Sequence, residues 1–176
     1  MESLLDKLET IDLAQDVRLF VNVYAKTFEQ KERMCLWLER FYRMFPHTTC
    51  VFEILEHHLG NVELAAWTDL KREFPLIELA QDDFGIGEQD LIRFLEVKPD
   101  WLKLDSSWMT TLSRHPESVS LLQAIVDWAG AEGIKLIAEG IETSEQSYFY
   151  SSIGIEYEQG YFWSVPQREA VLSAIP

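Results

Sequence analysis

Apolar residues recur along this chain in two rhythms, a tight one of strands and a three-to-four-residue one of helices, and they take turns. Runs rich in β-branched and aromatic residues at 17–24, 49–55, 76–84, 101–105, 134–141 and 157–163 predict six strands. Between them, helical spacing predicts helices over 31–45, 62–74, 91–97, 118–131 and 143–153. A short amphipathic helix at 2–13 precedes the first strand, and another is predicted at 165–175 after the last. The inward stripe of 31–45 is Met34, Leu38, Phe41 and Phe45, closed by Pro46. That of 118–131 is Leu121, Leu122, Ile125, Val126 and Ala129, with Gly133 as its stop. Strands followed by helices, with no low-complexity linker, predict one α/β domain of right-handed βαβ units on a parallel sheet.

The polar exceptions to this pattern are placed alike. Asn22, Glu53, Asp82 with Asp83, Lys103, Glu139 and Gln159 each fall at or near the C-terminal end of a predicted strand. In a barrel of parallel strands those ends share one mouth, the face on which barrel active sites are built. The run Leu79-Ala80-Gln81-Asp82-Asp83-Phe84-Gly85-Ile86-Gly87 is central to the pattern, because it ends an apolar strand in two adjacent carboxylates. Strand alternation would point one of them inward and the other toward the loop. One reading makes Asp82 a helix N-cap and leaves Asp83 solvated. The other gathers the acids round hard divalent cations, which relieve the cost of crowding carboxylates in apolar surroundings. Several carboxylates, an amide and a lysine match a two-metal oxygen-ligand site acting on a phosphodiester, with Asp82 able to bridge both ions.

Composition narrows the partners. Thirty acidic against fifteen basic residues leave a formal charge of -15, which argues against a nucleic-acid polymer or an anionic membrane surface. There is no apolar run of membrane-spanning length and no signal-peptide pattern, so a cytoplasmic setting without membrane insertion is expected. Cys35 and Cys50 show no metal-ligand spacing and are expected as buried, reduced thiols. His47, His57, His58 and His115 are scattered and are expected at the surface, not on zinc. No Walker or GxGxxG phosphate loop occurs.

The ordered motifs Val21-Asn22-Val23, Glu53-Ile54-Leu55-Glu56, Asp82-Asp83-Phe84-Gly85-Ile86-Gly87, Leu102-Lys103-Leu104-Asp105, Ala138-Glu139-Gly140-Ile141-Glu142-Thr143 and Gln159-Gly160-Tyr161 resemble the EAL family of bacterial cyclic di-GMP phosphodiesterases. The resemblance implies a modified (β/α)8, or TIM-type, barrel, here with about six βα units. It also implies a signalling role in which magnesium or manganese supports cleavage of cyclic di-GMP to linear pGpG. Carried over residue by residue, it makes Asn22, Glu53 and Asp82 ligands of one metal, and Asp82, Asp83 and Glu139 ligands of the other. Lys103 would orient the attacking water, Glu139 is also a candidate base, Gln159 would line the nucleotide pocket, and Glu56 and Glu142 would hold the loop after the paired aspartates.

The chain departs from that family in ways that shape the expected function. No Glu-Ala-Leu tripeptide occurs in its 176 residues. By the resemblance, that tripeptide's strand carries a metal-ligating glutamate and lies near a phosphate-contacting arginine. The chain is thus expected to be a single EAL-like domain, 1–176, that lacks the N-terminal Glu-Ala-Leu strand. Ile86 stands where the family has threonine, and Glu88, Gln89 and Asp90 replace the polar residues expected after Gly87. A degenerate module that binds cyclic di-GMP or a protein, and pairs with a protein partner or a second copy, is one expectation. The other is a phosphodiesterase completed by residues from elsewhere.

Overall fold

The computed structural model describes residues 2–8, 17–54, 59–84 and 95–166. These form two compact units.

The first unit comprises the described residues of Met1–Glu53 and Leu59–Glu78. It holds helix α1 (Glu2–Leu8), strand β1 (Arg18–Val23), a 3-10 turn over Ala25–Glu29, helix α2 (Lys31–Met44), nearly all of strand β2 (Thr49–Ile54), helix α3 (Asn61–Glu73) and the first residues of strand β3 (Ile77–Phe84). β1, β2 and β3 follow one another in that order in the sheet. The predicted stripe of α2 is buried as expected: Met34, Leu38, Phe41 and Phe45, joined by Trp37. It closes over an aromatic cluster in which Phe28 meets Phe52 edge-on at 5.9 Å and Trp67 at 5.5 Å, while Trp37 stacks on Phe41 at 5.4 Å. Such ring pairs add to what area burial alone contributes.

The second unit runs through Leu79–Val165. Here β3 continues into strand β4 (Trp101–Leu104), helix α4 (Ser107–Arg114), a 3-10 turn over Pro116–Ser118, helix α5 (Val119–Glu132), strand β5 (Lys135–Ala138), helix α6 (Ser144–Ser152) and strand β6 (Tyr157–Glu158). β3, β4, β5 and β6 lie in that order, each pair parallel, as βαβ connections require. One hydrophobic core, with Leu102, Leu104, Leu122, Ala129, Leu136, Tyr150 and Ile155 among its members, joins the strands to α5 and α6. Gly133, at φ 72°, ends α5 in the left-handed conformation that suits glycine. Thr143 and Gln146 form a reciprocal capping box at the start of α6.

All six predicted strands are present, the one expected at 134–141 shortened to Lys135–Ala138, and Ile125 and Val126, expected inward, are only partly buried. Leu121, expected inward, is 58% exposed, whereas Leu122 is fully buried. The last strand stops at Glu158 rather than at 163, because Gly160 packs against the Ile141 backbone and 161–163 form a turn. α4 was not predicted; its Ser- and Thr-rich eight residues bury fully only Leu112. Of the cysteines, Cys50 is buried but Cys35 only partly so, and both are free. His47 and His115 are exposed as expected, while His57 and His58 lie outside the described residues. Of the helix expected at 91–97 only 95–97 are described, and they are helical; the end of the helix expected at 2–13 and nearly all of that at 165–175 also lie outside.

Candidate metal centre

In the second unit the C-terminal ends of β3, β4 and β5 carry the chemistry. The pairing of β3 with β4 slips between Gln81 and Phe84: Gln81 sits opposite Leu102, but Phe84 sits opposite Leu104. One extra residue on β3 is the signature of a β-bulge. Asp83 takes up the irregularity with φ 55°, a left-handed conformation that aspartate tolerates better than most residues. The simple alternation expected for the two aspartates is thereby broken. Asp82 and Asp83 do not go separate ways: with Glu139 they bring one carboxylate oxygen each to within 4.8 Å of one another, all three partly buried. The start of the helix that Asp82 would cap in the other reading lies outside the described residues, while Asp83 is partly buried.

Lys103 sits among these acids. Its side chain is 4% exposed, and its Nζ lies 3.0 Å from Asp82 Oδ1 and 2.7 Å from Glu139 Oε1. The register explains why it reaches both: Lys103 pairs with Ile137 on β5, two residues before Glu139, while β3 flanks its other side. An ammonium shared between two carboxylates offsets part of the repulsion between them.

Two glycines hold the Glu139 side of the centre. Gly140 adopts φ 67°, and a Cβ there would come within 2.5 Å of the Ser106 side chain. A Cβ on Gly160 would lie 2.2 Å from the Ile141 carbonyl oxygen. That close approach lets the Ile141 N–H donate to the Gln159 carbonyl at 3.1 Å and the Phe162 N–H donate to the Ile141 carbonyl at 2.9 Å. Gln159 directly follows β6 with an exposed side chain. Glu142 is exposed too, and its backbone N–H donates to Gln146 Oε1 at 2.7 Å.

The remaining expected ligands occupy the first unit. Asn22 is the second-last residue of β1 and is exposed; Glu53 is the second-last of β2 and is 8% exposed. Glu56 lies outside the described residues. Sequence reasoning quoted Asp105 in a motif but gave it no role; its Oδ1 accepts the Ser107 N–H at 2.7 Å and so starts α4. Burial alone would raise the Asp105 carboxyl, but hydrogen bonds from Ser107 and Ser106 outweigh it and hold the group below its ordinary value. Asp followed by two serines is a turn signature visible in the sequence. Trp108 was missed as well, and nothing in the apolar pattern singles it out.

Three oxygen ligands at the rim of a parallel sheet suit a hard divalent cation. Asp83→Asn is expected to weaken Mn2+ binding severalfold while shifting the unfolding midpoint little, since asparagine also accepts the left-handed conformation; calorimetric titration and thermal unfolding check the two halves. A midpoint that fell sharply would contradict this account of the bulge.

A parallel α/β fold with an acidic, lysine-bridged cluster at its strand ends defines the class, an α/β domain with carboxylates gathered at the rim of its sheet. The chain belongs to the EAL domain family, whose profile matches residues 1–166. It is 28% identical over 172 residues to the cyclic di-GMP phosphodiesterase RocR of Pseudomonas aeruginosa, covering 96% of this chain and 43% of RocR. It is 33% identical to the probable cyclic di-GMP phosphodiesterase PdeN of Escherichia coli, covering 68% of this chain and 23% of PdeN. Among solved structures, Bacillus subtilis YkuI, a protein with an EAL domain in complex with substrate c-di-GMP and calcium, aligns with a TM-score of 0.77 at 24% identity, over 98% of this chain and 43% of that one. The EAL domain of Mycobacterium smegmatis DcpA aligns with a TM-score of 0.68 at 27% identity, over 84% and 67%. The chain thus spans less than half the length of RocR or YkuI. No helix among the described residues is long and apolar enough to cross a membrane.

Proposed function

We propose that this chain is a cyclic di-GMP signalling module in which Asp82, Asp83 and Glu139 hold a divalent cation, Mg2+ or Mn2+, and that alone it binds the nucleotide without efficient turnover. The observation that carries the metal half is the convergence of the three carboxylates to within 4.8 Å. When bound, such an ion supplies Lewis-acid polarisation of a phosphodiester and acidifies water. Lys103 is bonded to Asp82 and Glu139 and holds both in position, and its ammonium is the donor that would orient a water beside them. The roles of Asn22 and Glu53 as further ligands, of Gln159 in lining the pocket, and of Glu56 and Glu142 in holding the loop, come from the sequence resemblance. The cyclic di-GMP phosphodiesterases among its relatives, and a similar EAL structure in complex with c-di-GMP, support the nucleotide assignment. The impaired turnover is supported by Ile86 and Glu88, which stand after the paired aspartates where the resemblance expects other residues. A protein partner or a second copy of the chain then receives the signal in the cytoplasm.

The intact cluster around Lys103 favours a second reading, a competent phosphodiesterase once a glutamate-bearing strand is supplied. One experiment separates them: the chain alone with cyclic di-GMP and Mg2+ or Mn2+, followed by calorimetry and by chromatography for pGpG. Metal-dependent binding without product is expected. Product formation that Asn22→Ala or Lys103→Ala abolishes would replace the first reading with the second. Lack of binding heat together with lack of product would overturn both.

A further inference from the structure

The stretch that carries the paired aspartates is fixed twice, once from β4 and once from α4, and only the first tether is an ion pair. The first is Lys103, bonded to Asp82. The second comes from α4: the indole Nε1–H of Trp108 donates to the Phe84 carbonyl at 2.8 Å. Phe84 directly follows Asp83 and is where β3 regains register with β4 after the bulge. The hydrogen bond therefore closes the irregular stretch on its far side, next to the residue held at φ 55°.

The indole is itself well anchored. The Asp105 carboxylate accepts the Ser107 N–H at 2.7 Å, and the Asp105 carbonyl accepts the Trp108 N–H at 3.1 Å, so the first turn of α4 is indexed to the end of β4. Trp108 is also packed, partly buried, against the hydrophobic core of this unit. A left-handed aspartate carries a conformational cost, and persists where its surroundings over-determine it. Here those surroundings are the resumed ladder at Phe84 and the indole.

We propose that Trp108 is a positioning residue for the metal centre: by clamping the Phe84 carbonyl it holds the bulge that turns Asp82 and Asp83 toward one ion, and so sets the affinity of the site for a divalent cation. This builds on the metal-site reading above. It carries a thermodynamic corollary, because coupling between two binding events is reciprocal. If the clamp tightens the ion, the ion must tighten the clamp.

The test uses Trp108→Phe, which keeps an aromatic ring in the core and deletes the N–H, in the whole chain. Mn2+ affinity is read by calorimetry and by the paramagnetic signal of the free ion, and the unfolding midpoint separately. Loss of one net hydrogen bond corresponds to a dissociation constant raised about fivefold. A packing role alone would lower the midpoint and leave the dissociation constant where it was, and that result overturns the proposal. In the parent chain, exchange of the Trp108 indole proton with solvent is expected to slow when Mg2+ is added, a readout that does not depend on the variant folding. Exchange indifferent to Mg2+, in a parent that binds the ion, also overturns it. A parent chain that binds no Mn2+ at all would sink the metal-site reading first and this inference with it, which distinguishes the two failures.

Discussion

Lys103→Ala is expected to lower the unfolding midpoint by roughly 10 °C in metal-free buffer, and to make that midpoint climb when Mg2+ or Mn2+ is added. The lysine is 4% exposed and touches both Asp82 and Glu139, so deleting it removes the positive charge from a cluster of three carboxylates. Removing one partner of a buried ion pair costs about 3–5 kcal/mol, much of it the penalty of the charge left behind. Asp82 and Glu139 keep 18% and 16% of their side-chain surface, so water relieves part of that penalty and the lower end, about 3 kcal/mol, applies. For a chain of this size each kcal/mol moves the midpoint by about 2–4 °C. A divalent cation restores the missing charge and stabilises by mass action. Thermal unfolding with and without the ion checks both statements, and a variant as stable as its parent would show the lysine to be bystander rather than counter-charge.

Leu122→Ala is expected to cost about 2–5 kcal/mol, the loss of transfer energy plus the cavity left in the second unit's core. Leu121→Ala, one position earlier in α5, is expected to change stability by less than about 0.5 kcal/mol, as exposed substitutions usually do. Denaturant unfolding of the two variants side by side provides the check, with the neighbouring residue as its own control. Equal losses would mean that the face of α5 in contact with the core is misassigned.

That pair also shows how far a sequence can be read. The existence of α5 and its stop at Gly133 follow from spacing and from glycine's access to the left-handed region. The breadth of its buried face does not, because an apolar pattern gives no measure of how much neighbour there is to cover it. β3 repeats the lesson at finer scale. Its apolar run and its acidic end were legible, and in the second unit Asp82, Asp83, Glu139 and Lys103 lie together at strand ends. The direction of Asp83 was not legible, since strict alternation presumes a regular ladder and the extra residue breaks it. α4 escaped notice for a related reason: its start depends on an Asp105 turn and it is tied to β3 by an indole hydrogen bond, neither of which has a periodic signature.

The shared ammonium of Lys103 has a consequence for how any cation would reside at this rim. Two of the three acids are already met by a tethered positive charge at 2.7 and 3.0 Å, so an incoming ion competes with an occupant that cannot diffuse away. The repulsion between that ammonium and a divalent ion held by the same oxygens would weaken the ion's hold on this rim.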